Sequence, residues 1–446
     1  MSSSFRIASL LTGALALGHG AGAQVPEPDA VRPAPDPVLD ALVAEALQRN
    51  PDLLALQEAV VAARARPDQA RSLRDPMLSV VYTNDGWAPS LGSQPMTTLG
   101  FVGSQDLPYP GKRGLRGELA ARDADSVELQ LERARLGVTA AVKRAYYGLV
   151  LSRERLALAS DQELLLKQIE GTVRARYAVG QGAQPDVLRV QIEVTRVLEL
   201  RSEQQAEASV RVAELNRLLD RSAASPLETK ARLEARSAED ALEPLLERLL
   251  AASPERRGAE LAQQRAGLEA ALAQKEGKPD FQLQAGYMNR GGLDPMWLAG
   301  VGVTLPVNRK RIDGARAEAE AKQRASARQV DSVRLQLRYR TEERLAQLDA
   351  TRKVAELYER GIIPQDRMAV DAALANYETG KVPFVAVLEA LTTLYGDRAQ
   401  HLGLLANHER IGASLEEASL EPTSSLVLAT TAARPGEAGM GARSLP

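Results

Sequence analysis

Cysteine is absent from the sequence, which excludes a disulfide framework and any thiolate metal site. Histidine is nearly absent, and beyond the N-terminal segment only His401 and His408 remain. Two histidines on one helical segment, without neighbouring ligands at metal spacing, read as packing or surface positions. No Ser-His-Asp arrangement, phosphate loop or metal-spaced cluster is visible, so no enzyme chemistry, cofactor or metal site is expected. Gly300-Val301-Gly302 lies inside a strand pattern with no helix start behind it, and so is no nucleotide motif. Aromatic residues make up only 4% of the chain, too few for a thick globular core. Neither sign of charge dominates, with 56 Lys plus Arg against 58 Asp plus Glu; nucleic acid is not an expected partner. After Gln24 no stretch approaches the roughly 20 consecutive apolar residues of a membrane-crossing helix. A membrane span in this chain would therefore have to be made of strands.

The ends are distinctive. Arg6 precedes an apolar run from Ile7 to Leu17, and Ala21-Gly22-Ala23 follows, the layout of a cleavable secretory signal over 1–23. The Pro-rich stretch 24–37 and the small-residue tail 419–446 have no periodicity and are expected to be poorly ordered.

Between the ends the chain repeats itself. Tyr177-Ala-Val-Gly180-Gln181 with Val187-Leu188 returns about 200 residues later as Tyr377-Glu-Thr-Gly380-Lys381 with Val387-Leu388. Asp75, Tyr82 and Asn84 have counterparts in Asp280, Tyr287 and Asn289, and Asn50-Pro51-Asp52 has one in Ser253-Pro254-Glu255. Each half reads as helix, two strands, very long helix, tight turn and return helix. The expected bounds are 38–222 for the first repeat, with hairpin 77–106, long helix 112–177 and return helix 185–222. A linker follows over 223–240. The second repeat covers 241–418, with hairpin 281–305, long helix 309–378 and return helix 384–418.

The long helices carry the seven-residue beat of a coiled-coil seam: Leu131, Val138 and Ala145 on one position, Val142, Leu149 and Leu156 on another. Val330, Val333, Leu337, Leu345 and Leu348 mark the second stripe. A helix of this length runs roughly 100 Å at 1.5 Å per residue and needs partners throughout. Gly361-Ile-Ile-Pro364 predicts a kink or short break, because proline removes a backbone donor and crowds the preceding turn.

The short segments alternate instead. Phe281, Leu283, Ala285 and Tyr287 interleave with Gln282, Gln284, Gly286 and Met288; Trp297, Ala299, Val301, Val303 and Leu305 interleave with Leu298, Gly300, Gly302 and Thr304. Leu78, Val80 and Tyr82, then Leu99 and Phe101, give the noisier first copy. Both tryptophans, Trp87 and Trp297, fall in these regions, as in the aromatic girdle of a membrane barrel. A small soluble sheet packed on the helices is the other reading of the same pattern. Four strands cannot close a membrane barrel, since the smallest have eight, so a barrel would be shared: three copies supply twelve strands under cyclic symmetry.

With the duplicated Tyr-x-x-Gly turn and Val-Leu in hand, the chain resembles the TolC-like outer-membrane efflux proteins across nearly the whole region after the signal. Gln105-Asp106-Leu107-Pro108-Tyr109-Pro110-Gly111-Lys112-Arg113, with Gly361-Ile-Ile-Pro364-Gln365, looks like the heavy-metal branch; drug efflux and type I secretion are the other duties within the family. The chain lacks the N-terminal cysteine on which many relatives carry lipid. The resemblance implies a mainly α fold with a small transmembrane β part: an α-helical barrel crossing the periplasm, continuous with a trimeric 12-stranded β-barrel in outer-membrane lipid. It implies a passive exit duct for an inner-membrane pump, of the RND type for the heavy-metal branch, joined through a periplasmic adaptor (membrane fusion protein). It places the periplasmic tip and adaptor contact at Tyr177, Gly180, Val187, Leu188, Tyr377, Gly380, Val387 and Leu388, and the channel aperture at Asp186 and Glu389. Ala386 stands where a second carboxylate is often found. Asp186 beside Pro185 also suits a helix-capping role, and Arg189 could pair with an acidic neighbour and lock the tip. The rival of another class is a periplasmic coiled-coil adaptor or structural protein, for which one helical hairpin and no matched pair of β-hairpins would be expected.

Overall fold

A computed structural model describes residues 36–91, 94–229, 233 and 242–417. The expected signal, nearly all of the Pro-rich segment, most of the linker and the C-terminal tail lie outside the described residues. Asp36 and Pro37 correct the expected disorder of the Pro-rich stretch at its very end. Asp36 is buried and caps the first helix, accepting from the backbone N–H of Val38 and Leu39, and takes a 2.7 Å hydrogen bond from Tyr146. An N-cap carboxylate followed by proline starts a helix efficiently.

Each half opens with two helices separated by a proline. In the first these are α1 (Pro37–Arg49) and α2 (Pro51–Arg64), followed by the short α3 (Arg66–Arg71). Asn50 caps α2 through Asp52 and Leu53 N–H, while its amide nitrogen reaches Leu218 O at 3.1 Å. The second half repeats the scheme with α6 (Leu242–Ala252) and α7 (Pro254–Glu276), the latter capped by Ser253.

Then come the strands and the long helices. Strands β1 (Met77–Thr83) and β2 (Thr98–Leu107) precede α4 (Lys112–Ala178, 67 residues) and its return α5 (Gln184–Leu218). Strands β3 (Asp280–Arg290) and β4 (Leu293–Thr304) precede α8 (Arg309–Leu357), α9 (Ile363–Glu378) and the return α10 (Phe384–Glu416). A single π-helical turn, Tyr358–Ile362, joins α8 to α9. Pro364 has no N–H to give, and the Ile363 N–H reaches back five residues to Tyr358 O, so the interruption expected there is a widened turn within a continuing helix.

The coiled-coil positions of α4 face inward. Val142, Ala145 and Leu149 are buried together with Leu39, Leu42, Leu215 and Leu404 in one core, and α4 makes contact with α5, α7 and α10. A second core nearer the turns joins Leu166, Ile169 and Val173 to Val190, Val197, Phe384, Val387 and Leu391. Val333, Leu337 and Leu348 of the second stripe are likewise buried. Helices of this length are stable because apolar rows pack along them, not through propensity alone.

The four strands form one antiparallel sheet in the order β1-β2-β3-β4, so the two halves pair side by side through β2 and β3. Register puts Val80, Phe101, Tyr287 and Trp297 in one row, and Leu107, Phe281 and Val303 in another, on the same face. The opposite face carries Ser79, Ser104, Asp106, Gln282, Gln284, Gly300 and Gly302. Strand-to-helix elbows lock the sheet to the helices. Buried Lys112 donates to Lys278 O at 3.0 Å and Asp280 Oδ1 at 2.9 Å, and the Tyr109 N–H donates to the same oxygen at 2.7 Å. The Pro108-Tyr109-Pro110-Gly111-Lys112 motif thus ties the first half to the start of β3.

Candidate functional site: two turns and a two-faced sheet

The two turns between long helices have the same backbone. After α4 the Gly180 N–H donates to Tyr177 O at 3.0 Å and Gln181 N–H to Arg176 O at 2.9 Å; after α9 the Gly380 N–H donates to Tyr377 O at 2.9 Å and Lys381 N–H to Asn376 O at 2.8 Å. Gly180 and Gly380 have φ of 76° and 74°, the left-handed conformation that closes a helix in this bond pattern and that a Cβ disfavours. The local sequence therefore builds one turn twice.

The side chains diverge. Tyr177 is 48% exposed and Tyr377 5%; Leu188 is 52% exposed and Leu388 8%. Val187 is half-buried, while Val387 is fully buried. The difference originates in Phe384, which stands where the first copy has the exposed Gln184. Its ring lies 5.2 Å from that of Tyr377 at 54° and fills the second core. Arg176, whose counterpart is Asn376, adds the other half of the difference. Its guanidinium sits 4.8 Å from the centre of the Tyr377 ring and donates to the carbonyls of Tyr377 at 2.8 Å and Glu378 at 2.5 Å. A cation over the ring and charge-assisted bonds to the last carbonyls of α9 clamp the first turn onto the second.

Asp186 is in the first turn of α5, where Ala183 is the N-cap and no side chain caps the helix. Its carboxylate pairs with Arg189 at 3.7 Å and lies close enough to Tyr377 to act on it: burial, then the Asp186 charge, push the Tyr377 hydroxyl pKa above its ordinary value, with Arg176 opposing. That hydroxyl has no hydrogen-bond partner among the described residues. Glu389 is exposed on α10. Phe384 and Arg176 were not singled out by sequence reasoning. The signal was available as the places where the two copies of the turn differ.

His401 is half-buried beside a cavity lined by Glu154, Asp161, Glu359, Arg367 and Arg398, and burial lowers its pKa against the opposing charge of Glu359. His408 is buried and partnered. Among the described residues no group of three or more His, Cys, Asp or Glu could hold a metal ion, and no helix is long and apolar enough to cross a membrane.

Among the described residues, several surfaces lack partners. Strands β1 and β4 are open edges. The apolar sheet face exposes Leu78, Val80, Phe101, Trp297, Val301 and Val303. The helices have apolar flanks, Leu188, Ile192, Leu198 and Val210 on α5 and Leu335, Tyr339, Leu357 and Met368 on α8 and α9. Exposed apolar surface on this scale marks an interface or a membrane contact.

Residues 42–221 and 245–419 match the model of the family described as Outer membrane efflux protein. The nickel-cobalt-cadmium resistance protein NccC of Alcaligenes xylosoxydans xylosoxydans is 24% identical over 324 residues, covering 72% of this chain and 73% of its own. The cobalt-zinc-cadmium resistance protein CzcC of Cupriavidus metallidurans is 25% identical over 305 residues, covering 66% and 70%. The crystal structure of the outer membrane protein VceC from Vibrio cholerae superposes with a TM-score of 0.73 at 20% identity, over 85% of this chain and 95% of that one.

Proposed function

Because this chain belongs to the outer membrane efflux protein family, we propose that it is the outer-membrane exit duct of a tripartite efflux system, working as a homotrimer. The observation that carries this reading is the open four-stranded sheet. Its strands β2, β3 and β4, of 10, 11 and 12 residues, have the length of tilted membrane strands. One face is mostly apolar, the other mixes Ser, Asp, Gln and Gly near the helical end with Val81, Val102, Met288 and Leu298 farther along, and in lipid two open edges would leave backbone groups unsatisfied. Three copies joined edge to edge give a closed 12-stranded barrel with the face of Phe101, Tyr287, Trp297 and Val303 in lipid and the face that carries Ser104, Gln282, Gln284 and Gly302 around a lumen. The apolar flanks of α5 and of α8–α9 would meet between neighbouring copies, extending the ring into an α-helical barrel through the periplasm.

Such a duct conducts passively; the driving force belongs to an inner-membrane pump, of the RND type by resemblance, reached through a periplasmic adaptor. The tips Tyr177, Gly180, Val187, Leu188 and Tyr377, Gly380, Val387, Leu388 form the adaptor end. In this reading the exposed Tyr177, Val179 and Leu188 make the side-chain contact and the buried Tyr377, Val387 and Leu388 support it from behind, a division that their exposures favour. Asp186 and Glu389 would set the charge of the aperture, where three copies of a carboxylate repel one another and attract cations. Heavy-metal cations are the cargo that fits the names of NccC and CzcC.

The test is to separate the membranes of a producing cell and run the outer-membrane fraction, unheated and heated, on a denaturing gel. A trimer-sized band that collapses to monomer on boiling is expected. Recovery as a soluble periplasmic monomer would overturn the duct in favour of an adaptor. Leu188→Asp should then abolish metal resistance in complemented cells while leaving the trimer band intact.

A further inference from the structure

The duplication extends to the elbows where strands turn into long helices, and the two elbows differ in what they hold. After β2 the chain reads Leu107-Pro108-Tyr109-Pro110-Gly111-Lys112-Arg113, and after β4 it reads Leu305-Pro306-Val307-Asn308-Arg309-Lys310-Arg311. Leucine, proline, lysine and arginine recur at the same spacing, which makes Lys310 the counterpart of Lys112. At the strand starts Asp75 is the counterpart of Asp280, as Tyr82 is of Tyr287. The ladders follow both alignments. Tyr82 opposes Leu99 and Val80 opposes Phe101 in the first hairpin, just as Tyr287 opposes Trp297 and Ala285 opposes Ala299 in the second.

In the middle of the sheet the elbow's lysine has its acid. Lys112, buried just after β2, reaches Asp280 at the start of β3 at 2.9 Å and Lys278 O at 3.0 Å. At the rims the same parts lack each other. Lys310 follows β4 and Asp75 precedes β1; both are exposed, and among the described residues neither has a hydrogen-bond or ion-pair partner. Strands β1 and β4 are the opposite edges of the sheet, so the two residues of one chain are kept apart by β2 and β3. Only a second copy can bring the rims together.

We infer that Lys310 of one copy pairs with Asp75 of the next, repeating between copies the contact that Lys112 and Asp280 make within one. The pairing presupposes the edge-to-edge trimer proposed above, and it fixes how the edges meet. Within the chain Gly103 opposes Ala285 and Gln105 opposes Leu283. Carried across the seam, Val301 of β4 opposes Val80 of the neighbouring β1, and Val303 opposes Leu78. These four side chains are all exposed on the apolar face, so the seam continues that face without a break. The register also closes. A row that starts at Val80 runs through Phe101, Tyr287 and Trp297 and enters the next copy at Asn84, an advance of four residues over four strands. With a rise of about 3.3 Å per residue and a spacing of about 4.8 Å, one residue per strand is a tilt of roughly 35°, inside the range of closed membrane barrels.

The chain has no cysteine of its own, so a crosslink in outer membranes from cells producing the full chain tests the contact directly. Lys310→Cys combined with Asp75→Cys should be joined by a short bifunctional thiol reagent into dimers and trimers that survive boiling. Lys322→Cys combined with Asp75→Cys should not, because Lys322 lies about 18 Å farther along α8 at about 1.5 Å per residue. Lys310→Asp alone should lower the temperature at which the unheated trimer band is lost, and adding Asp75→Lys should restore it. A double cysteine variant that still runs as a trimer unheated but yields no crosslink overturns the pairing and leaves the duct standing. So does a Lys310→Asp trimer as heat-resistant as the wild type, or one that the charge swap does not rescue. A wild-type chain that never forms a trimer overturns both.

Discussion

The two turns of the duplicated chain share hydrogen bonds and a left-handed glycine, yet one presents its tyrosine to solvent and the other buries it. The difference teaches that a turn's backbone is a local property and its surface a property of neighbours. Gly180 and Gly380 close their helices identically because each follows a helical tyrosine with the same bond pattern available. Tyr377 is buried because Phe384 and Arg176 surround it. In the first copy the position of Phe384 is held by the exposed Gln184, and among the described elements α5 has little but α4 for a partner.

The comparison can be broken most strongly at Phe384. Phe384→Ala removes the ring that fills the second core and should destabilise that turn by about 3–5 kcal/mol, whereas Gln184→Ala at the matching place should change the first turn by under about 0.5 kcal/mol. Hydrogen exchange of the amides at 379–382 and 179–182 would report the two separately; equal effects would mean that the turns are supported alike. Arg176→Ala comes next. It forfeits the cation over Tyr377 and two charge-assisted bonds, about 2–3 kcal/mol, and should speed exchange at the second turn even though the substitution is in the first copy.

Gly180→Ala and Gly380→Ala sharpen the shared part of the comparison. Each forces a Cβ into the left-handed region at a cost of about 1–2 kcal/mol, and the two costs should be equal despite the different surroundings. The smallest effect concerns the Tyr377 hydroxyl. Its pKa is raised in the folded chain by burial and by Asp186, so stability is fully present below the ordinary tyrosine value of about 10 and is lost as pH rises through the raised one. Tyr377→Phe should remove this alkaline loosening, measured as exchange at 379–382 against pH. It should not destabilise at neutral pH, because the hydroxyl has no partner to lose.

Much of the architecture was legible because it rests on periodicity. The seven-residue beat around Val142 and Leu149 and the alternation around Leu283 and Val301 are repeated many times, so the pattern survives irregular positions. Pro364 announced an interruption, but its form as a π-turn depends on which carbonyl the Ile363 N–H can reach. Asp36 and Pro37 were misread because a Pro-rich run looks featureless until Tyr146, more than 100 residues away, supplies the hydrogen bond that fixes it. The role of Arg176 was equally hidden, since nothing near it in sequence indicates that its guanidinium reaches the end of α9.

By itself the sequence determined the duplication, the helix and strand periods and the two glycine turns, all of them set by short-range sterics and by the spacing of apolar side chains. Tertiary structure alone decided that the halves pair through β2 and β3 and that the second turn is clamped while the first is exposed. Those outcomes depend on contacts between residues hundreds of positions apart, and burial, unlike backbone conformation, is defined only once distant segments have come together.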